Sequence, residues 1–378
     1  MKRPPSFSLI LPKELEVEGD KFNFGVFSES KFSQIKKLIV LVNGIPLNGI
    51  EGISIESGED FEKQVSLTLE NGKNYFQVYI VDFEGTKSLT KSFVVNSTIS
   101  KLSKPNLYVV AIGVSDHKSK ENSLVYAKKD AIDFLNKMKK NKIYKDVKYK
   151  LLFDSAATKR QIETINEFVS PAKESDVFIL FYAGHGVLDK ELNYYLSTYS
   201  IDFTAPQIEG LSIDTLSHIV SQIKCRKKLV FIDACHSGEV DKEDIVINNI
   251  QITSENKEVK FRAIGSKGVS SKNLYDSKSS IEIAKLLFTD TRSNNGVNII
   301  SSAGGAEYAM EGGEWKNGVF TYALLNGFKT NEADLNKDGE IWVNELQEYL
   351  GKKVSLITGG KQTPTSRSEN LSSNFRVW

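Results

Sequence analysis

Two strand-like runs of the sequence end in residues that can do covalent chemistry. The first ends in Phe181-Tyr-Ala-Gly-His-Gly186 and the second in Phe231-Ile-Asp-Ala-Cys-His-Ser-Gly238, so Cys235 follows His185 by 50 residues. If the two strands are neighbours in one sheet, the thiol and the imidazole can face each other at its carboxyl edge. A cysteine nucleophile needs a basic or cationic partner to reach the thiolate state at neutral pH. The pair therefore predicts a catalytic dyad.

Backbone N–H groups beside this dyad can stabilise the negative charge on an attacked carbonyl oxygen, and we predict that those of Gly186 and Cys235 form such an oxyanion hole. The glycines on both sides of His185 are expected to let a substrate approach the backbone closely. Taken singly, a cysteine after an apolar strand is usually a packing residue, and a histidine at a strand end is usually a hydrogen-bonded loop residue. The order and spacing of the two favour catalysis.

The elements that must position these residues follow from the pattern after residue 106, where strand-like and helix-like segments alternate. The predicted strands are 107–114, 149–153, 176–182, 228–233 and 297–302, and the predicted helices are 126–140, 159–169, 213–223, 319–328 and 341–356. Apolar strands between helices are typical of a mostly parallel sheet covered on both faces. We predict an α/β fold, a doubly wound three-layer domain over 106–378, with its site at the carboxyl ends of the strands.

A long polar insertion, 239–295, interrupts this alternation, and only Ile281–Leu287 within it has a helical pattern. The first 98 residues differ again: short runs rich in Val, Ile and Phe recur about every ten residues, separated by turn pairs such as Asn43-Gly44. This pattern predicts a small all-β sandwich of immunoglobulin type over 1–98. The polar segment 99–105, which ends in proline, predicts a linker.

The composition excludes several classes of protein. There are 49 Lys and Arg residues against 48 Asp and Glu, a net charge of +1, which argues against a generally basic nucleic-acid or membrane-binding protein. Two cysteines, Cys225 and Cys235, are too few for a disulfide framework or a Cys-rich zinc site. No apolar run approaches the ~18 residues that span a bilayer. We expect a soluble, cytoplasmic protein with no nucleic-acid or membrane partner.

The two chemical motifs together resemble those of the caspase-like cysteine peptidases and are most similar to the metacaspases and the prokaryotic caspase homologues, the orthocaspases. The resemblance covers about residues 106–378 and includes Gly318-Val-Phe-Thr-Tyr-Ala-Leu-Leu325. It implies an endopeptidase in which Cys235 attacks the peptide carbonyl to form a thioester acyl-enzyme while His185 moves the protons. No third triad residue is nominated and no cofactor is required for this chemistry. His236 is expected to be structural, and Cys225 an inert thiol.

The same resemblance implies a preference for basic substrate residues. Asp233, two residues before the predicted nucleophile, and Asp130, in Tyr126-Ala-Lys-Lys-Asp-Ala131, match the two acidic positions of the metacaspase P1 pocket. Two carboxylates favour Arg or Lys through Coulomb attraction and bidentate hydrogen bonding. Ala183 departs from the pattern, because metacaspases often have a pocket serine there. The simpler alternatives are a solvated helix residue for Asp130 and a strand-end cap for Asp233.

The insertion 239–295 lies where caspase relatives have a linker that is cut during maturation. Its basic residues include Lys257, Lys260, Arg262, Lys267 and Lys272. An enzyme that accepts basic residues could therefore cut its own chain there, which predicts activation by self-cleavage. A disordered, solvated loop is the alternative.

A 12-residue segment near the end of the chain, 334–345, fits the pattern of an EF-hand calcium loop. The expected ligands are Asp334, Asn336, Asp338, the carbonyl of Glu340 and bidentate Glu345, with Gly339 at the sharp turn. The calcium-binding cluster of metacaspases lies elsewhere, and the matching region, 194–211, holds only Asp202 and Glu209. Calcium is therefore predicted at 334–345, with a polar turn that binds nothing as the alternative.

The sequence as a whole predicts a cysteine endopeptidase that acts on proteins or peptides with Arg or Lys at P1. Its N-terminal β-domain is expected to position the enzyme or to bind a protein partner. Two alternatives stay open. One keeps the same dyad with a different P1 preference, and the other is a non-catalytic caspase-like signalling scaffold regulated by calcium. The presence of both His185 and Cys235 argues against the scaffold, because a scaffold needs neither.

Overall fold

The computed structural model describes residues 4–29, 34–49, 51–55, 60–100, 103–191, 193–234, 259–261, 296–303, 309–368 and 373–378. Cys235, His236 and the predicted helix Ile281–Leu287 lie outside the described residues. So do Lys257, Arg262, Lys267 and Lys272 of the insertion. Within the described ranges, no helix is both long and apolar enough to cross a membrane.

The described part of the first 98 residues forms two mostly antiparallel sheets. One contains β1 (Ser8–Ile10), β3 (Lys21–Glu29) and β7 (Asp60–Thr68), and the other contains β2 (Glu16–Glu18), β4 (Ile35–Val42), β5 (Ile45–Pro46), β6 (Ile53–Ser54), β8 (Gly72–Asp82) and β9 (Lys91–Thr98). In β8 the side chains of Phe76, Val78 and Ile80 are buried while their neighbours are more exposed, as a strand with one face on a core requires. The predicted β-rich N-terminal region is confirmed; its immunoglobulin type stays a prediction.

The rest of the chain has the predicted α/β architecture. Its central sheet contains β10 (Leu107–Gly113), β11 (Val147–Phe153), β12 (Val177–Ala183), β16 (Lys227–Asp233), β18 (Val297–Ser301) and β21 (Thr365–Ser368), in the order β11-β10-β12-β16-β18-β21. Every pair is parallel except β18 with β21. All residues of β10 and β12 are buried, because helices cover both faces of the sheet.

Two layers of helices cover the central sheet. The first consists of α1 (Ala127–Met138), α6 (Val319–Thr330) and α7 (Val343–Thr358), and the second of α2 (Lys159–Glu163), α3 (Ile165–Val169) and α5 (Ile213–Ser221), with the short α4 (Pro206–Glu209) before α5. The predicted helix 159–169 is two helices, because Thr164 leaves the helical conformation with ψ at 9°. Its hydroxyl donates to the Gln161 carbonyl, a local bond that competes with the helical pattern.

Two small antiparallel sheets extend from the carboxyl side of the central strands. One contains β13 (Gly186–Leu188), β14 (Tyr194–Leu196) and β15 (Leu211–Ser212), and the other contains β17 (Val259–Phe261), β19 (Met310–Gly312) and β20 (Asn317–Gly318). The first continues the chain directly after the histidine motif. The second joins a piece of the insertion to the segment that leads into α6.

The N-terminal sheets contact the α/β region at the amino end of β16. Lys227, the first residue of β16, forms an ion pair with Glu70 at 3.2 Å, and the Arg226 guanidinium donates to the Thr68 carbonyl. Burial opposes ionisation of Glu70, but the charges of Lys227 and Arg226 outweigh it and lower its pKa. Because the predicted site lies at the carboxyl ends of the strands, the N-terminal sheets meet the opposite end of the sheet.

Gly49 allows a close approach between the N-terminal sheets and α5. A Cβ at this residue, whose φ is +70°, would lie 2.5 Å from the carbonyl oxygen of Ser221. Gly49→Ala is therefore expected to lower the free energy of unfolding by about 1–3 kcal/mol more than Gly72→Ala, because Gly72 has a φ of +90° and open space around it. Urea unfolding of both variants measures the difference. Equal losses would mean that the backbone strain alone acts and that this contact is absent in solution.

Candidate active site

The carboxyl ends of β12 and β16 lie side by side. Ala183, the last residue of β12, is the register partner of Asp233, the last residue of β16, and the Gly184 N–H donates to the Asp233 carbonyl at 3.2 Å. His185 and Cys235 each follow two residues after this pair in the sequence. The strands that carry the two motifs are therefore neighbours, which the predicted dyad requires. Cys235 itself lies outside the described residues, so its role stays a prediction.

His185 is buried and its ring is fixed by a backbone carbonyl. Its Nε2 lies 2.8 Å from the carbonyl oxygen of Asn122, which ends the short 3-10 turn Lys120–Asn122. A carbonyl oxygen only accepts, so Nε2 carries the proton and Nδ1 is the basic nitrogen of the neutral ring. This tautomer suits a general base, since Nδ1 can take up a second proton while the first stays on Nε2 and is donated to the carbonyl oxygen.

Two other rings enclose the His185 imidazole. The His117 ring lies 5.4 Å away and the Phe203 ring lies 5.8 Å away, almost perpendicular to it at 89°. Burial and the neighbouring His185 together lower the pKa of His117 to about 3, so His117 is uncharged near neutral pH. The sequence carries no motif around His117. Its position after β10, at the same edge of the sheet, is the signal that places it here.

The two glycines of the histidine motif have different surroundings. Gly186 begins β13 and pairs with Leu196 of β14, and its part in an oxyanion hole stays a prediction. A Cβ on Gly184 would lie 2.3 Å from the hydroxyl oxygen of Tyr182. The structure thus supplies a reason for Gly184 that the sequence did not suggest, because this glycine makes room for a tyrosine side chain that turns back over it.

The two predicted pocket aspartates lie on the same face of the central sheet. Asp233 shares its face of β16 with Leu229 and Phe231, which pack against the helical layer that contains α1. Asp130 lies in the first turn of α1, and both carboxylate residues are fully buried. The alternative interpretation of Asp130 as a solvated helix residue is therefore wrong.

Both carboxylates also bind the amino-terminal end of α6. Asp130 accepts hydrogen bonds from Asn317 Nδ2 at 2.8 Å and from the Gly318 N–H at 3.1 and 3.2 Å, while Asp233 accepts from Thr321 Oγ1 at 2.6 Å. The helix dipole favours negative charge at this end. The two acidic residues, 103 positions apart in the sequence, thus meet at one short segment of the chain. No motif in the sequence marks Asn317 and Thr321 as the residues that orient these two carboxylates.

Cys225, the second cysteine, has a setting that suppresses its reactivity. It is fully buried, and burial, with a smaller contribution from Asp176, raises its pKa to about 12. The side chain therefore stays a thiol near neutral pH, and thiols are poor nucleophiles.

The predicted calcium loop joins α6 to α7 and has its side chains turned to its own backbone. Asp334 accepts from the N–H groups of Asp338 and Gly339 at 3.1 and 2.9 Å, and Glu345 accepts from the N–H of Asn336 at 3.1 Å. Gly339 has a φ of +87°, as the predicted sharp turn requires. In the part of the chain that the structure describes, no group of three or more His, Cys, Asp or Glu side chains converges in a metal-binding arrangement. Calcium binding stays a prediction.

The carboxyl-terminal residues pair with the same loop. The Ile341 N–H donates to the Trp378 carbonyl at 2.9 Å, and the Val377 N–H donates to the Ile341 carbonyl at 2.8 Å. Arg376 forms an ion pair with Glu340 at 2.6 Å. The loop is thereby held against the end of the chain.

Residues 107–376 match the family model for the caspase domain, which covers more than two thirds of the chain. No curated protein sequence matches the chain.

Several solved structures are similar at low identity. A protein from Geobacter sulfurreducens, solved as a structural-genomics target, is 19% identical over 70% of this chain and 93% of its own, with a TM-score of 0.49. Caspase-1 from Spodoptera frugiperda is 16% identical over 70% of this chain and 87% of its own, with a TM-score of 0.41. Fibronectin(III)-like modules of Clostridium thermocellum CbhA are 13% identical over 25% of this chain and all of theirs, with a TM-score of 0.20.

Proposed function

The chain belongs to the caspase-domain family of cysteine peptidases, and from this premise we propose that it is an endopeptidase that cuts after Arg or Lys with Cys235 and His185. One observation carries the assignment of roles: the ends of β12 and β16 are register partners, and the histidine that follows β12 is held through Nε2 by the Asn122 carbonyl. That hydrogen bond holds the proton on Nε2 and makes Nδ1 the basic nitrogen of the ring, as a general base requires.

The proposed reaction divides peptide hydrolysis into two steps. The thiolate of Cys235 attacks the peptide carbonyl carbon, and the backbone N–H groups of Gly186 and Cys235 stabilise the oxyanion. The C–N bond breaks as His185 gives a proton to the leaving amine, which leaves a thioester on Cys235. Water then attacks the thioester while His185 accepts its proton. The C–S bond breaks, which releases the carboxylic acid and returns the Cys235 thiolate and the protonated His185.

Burial and charge support a basic residue at P1. Asp130, Asp233 and Glu311 are buried carboxylate residues beside the start of α1 or α6, and Glu311 accepts from the Val125 N–H at 2.8 Å. Buried negative charges are stabilised when a positive charge and directional donors meet them, and a guanidinium group supplies both. A pocket built on Asp130 and Asp233 therefore favours Arg, accepts Lys and disfavours Asp.

Self-cleavage of the insertion is the second part of the proposal. Its strand β17, which contains Lys260, pairs with β19, and β19 pairs with β20, whose Asn317 and Gly318 bind Asp130. The described part of the insertion, β17, therefore lies two strands away from the strand that binds a residue of the proposed P1 pocket, which supports cleavage at one of the insertion's basic residues. Intact-mass measurement of the active enzyme beside Cys235→Ala tests this. Two uncut chains would refute it.

Short fluorogenic peptides ending in Arg, Lys or Asp test the proposed activity, with and without calcium. Turnover of the Arg and Lys peptides that is lost in Cys235→Ala supports the proposal. Cleavage of the Asp peptide alone would keep the dyad and remove the acidic-pocket argument. Absence of Cys235-dependent turnover on all three would favour the scaffold, in which the N-terminal sheets or the caspase-like domain bind a protein partner.

We also propose that the loop 334–345 binds Ca²⁺, since its ligand pattern and its Gly339 turn suit the ion. Glu345→Gln removes one charge and one of the two strong oxygen ligands of that side chain, so calcium binding is expected to weaken about tenfold or more. Titration calorimetry with calcium chloride measures the change. Glu348→Gln is the matched control, because Glu348 lies one turn further along α7 and pairs with Lys352 on the surface. Equal affinities in the two variants would contradict the assignment.

A further inference from the structure

A buried tyrosine hydroxyl holds the backbone around His185. Tyr182 Oη lies 2.8 Å from the Ser197 carbonyl, 3.1 Å from the His185 carbonyl and 3.0 Å from Ser197 Oγ. Tyr182 belongs to β12 and lies on the face opposite α1, so this support comes from the side of the sheet that the predicted pocket does not use. Gly184 makes the arrangement feasible, because any larger residue would collide with the hydroxyl.

Ser197 completes the contact from the end of β14. Its N–H donates to the His185 carbonyl at 2.9 Å, and its Oγ accepts from the His185 N–H at 3.2 Å. Both polar groups of the His185 backbone are thus bound to one residue 12 positions away, at a site with no access to water, since Ser197 and Tyr182 are fully buried. A buried hydrogen bond at a fixed backbone group is costly to remove, which makes this arrangement rigid.

His117 joins the same network to the ring of His185. Its Nε2 lies 3.1 Å from Ser197 Oγ, and its ring faces the His185 ring. The hydroxyl of Ser197 therefore connects the backbone of His185 with the His117 ring that lies beside its imidazole. Because His117 is uncharged near neutral pH, its ring packs beside His185 without repelling an imidazolium there.

We propose that Tyr182, Ser197 and His117 are positioning residues for His185. They fix its backbone through two hydroxyl groups and its ring through His117, while Asn122 fixes the tautomer. The proposal rests on the proposed function of His185 as the catalytic base. It extends that function, because none of these three residues touches substrate in the proposed reaction. A misplacement of about 1 Å at a catalytic group costs on the order of 100-fold in rate.

Tyr182→Phe tests the proposal with a matched control, Tyr108→Phe. Both tyrosines are buried in the same core. The Tyr108 hydroxyl, however, accepts a hydrogen bond from Lys148 Nζ at 3.2 Å and not from the residues around His185. Tyr182→Phe is expected to lower kcat for Arg peptides about 10–100-fold with KM changed less than about twofold, whereas Tyr108→Phe leaves both unchanged. Ser197→Ala should behave like Tyr182→Phe, and it serves as the test if Tyr182→Phe does not fold.

The alkylation rate of Cys235 by iodoacetamide at pH 6.5 provides a readout that needs no turnover. A well-placed His185 favours the thiolate, so Tyr182→Phe and Ser197→Ala should slow alkylation relative to wild type, and Tyr108→Phe should not. Cys225 does not interfere, because it stays a buried thiol. If wild-type protein cuts no peptide, the proposed function fails while this comparison still tests the positioning. Folded variants with wild-type kcat and alkylation rate, or losses equal to those of Tyr108→Phe, would overturn the proposal.

Discussion

Replacing Cys235 by alanine is expected to lower kcat/KM for Arg and Lys peptides by about 10⁴-fold or more, because the variant has no atom that can form the thioester. Initial rates on fluorogenic peptides measure the loss. Cys225→Ala is the matched control, since it removes the other cysteine, which is fully buried and stays a thiol. Its kcat/KM should stay within about twofold of wild type, with any loss confined to stability. Loss of activity in the control and not in Cys235→Ala would contradict the assignment of the nucleophile.

His185→Ala should cost nearly as much as Cys235→Ala, and the double variant should lose little more than either single one. Residues that act as one unit in a reaction are strongly non-additive, because removing one already disables the other. Two independent losses that multiply would show that His185 acts apart from Cys235. In that case, the meeting of β12 and β16 would serve the fold rather than a dyad.

The sheet was predictable because its physical causes are local. Strands such as Val177–Ala183 are continuously apolar, since helices cover both faces, and each ends abruptly in polar residues. Each motif directly follows its strand in the sequence. Because the strands are parallel, both motifs then lie at the same edge of the sheet, the one formed by the carboxyl ends of the strands. The division of the helix at 159–169 was missed, because it depends on the side chain of Thr164 rather than on hydrophobic periodicity.

The hydrogen-bond partners of the site residues were harder to predict from the sequence than the sheet was. The acceptor for His185 is the carbonyl of Asn122, a main-chain group that every residue carries, so no residue type marks it. Asp233 and Thr321 are 88 positions apart, and their contact depends on how α6 packs on the sheet. His117 is visible in the sequence as a histidine after a strand, yet its contact with Ser197 joins two loops that only the folded chain brings together.

Asp233→Asn is expected to lower kcat/KM for an Arg peptide by about 10²–10³-fold, the cost of removing one partner of a buried charge pair. The substitution keeps a carbonyl oxygen that can still accept from Thr321 Oγ1, so the fold should survive. A peptide with citrulline in place of Arg separates charge from shape. Wild type should prefer Arg strongly, and Asp233→Asn should lose most of that preference. An unchanged ratio of Arg to citrulline cleavage would remove Asp233 from the pocket.

Asp130→Asn should have the same kind of effect, and Asp133→Asn is its control. Both carboxylates accept from Asn317 Nδ2, at 2.8 Å for Asp130 and 3.1 Å for Asp133, but Asp133 is partly exposed and pairs with Lys129. If charge in the pocket matters, only Asp130→Asn lowers the ratio of Arg to citrulline cleavage. If Asn317 merely needs an acceptor to hold the start of α6, the amide oxygen of either asparagine still supplies one, so both variants keep the wild-type ratio of Arg to citrulline cleavage. The two outcomes separate a substrate-binding carboxylate from one that only anchors the helix, because citrulline matches Arg in shape and lacks its charge.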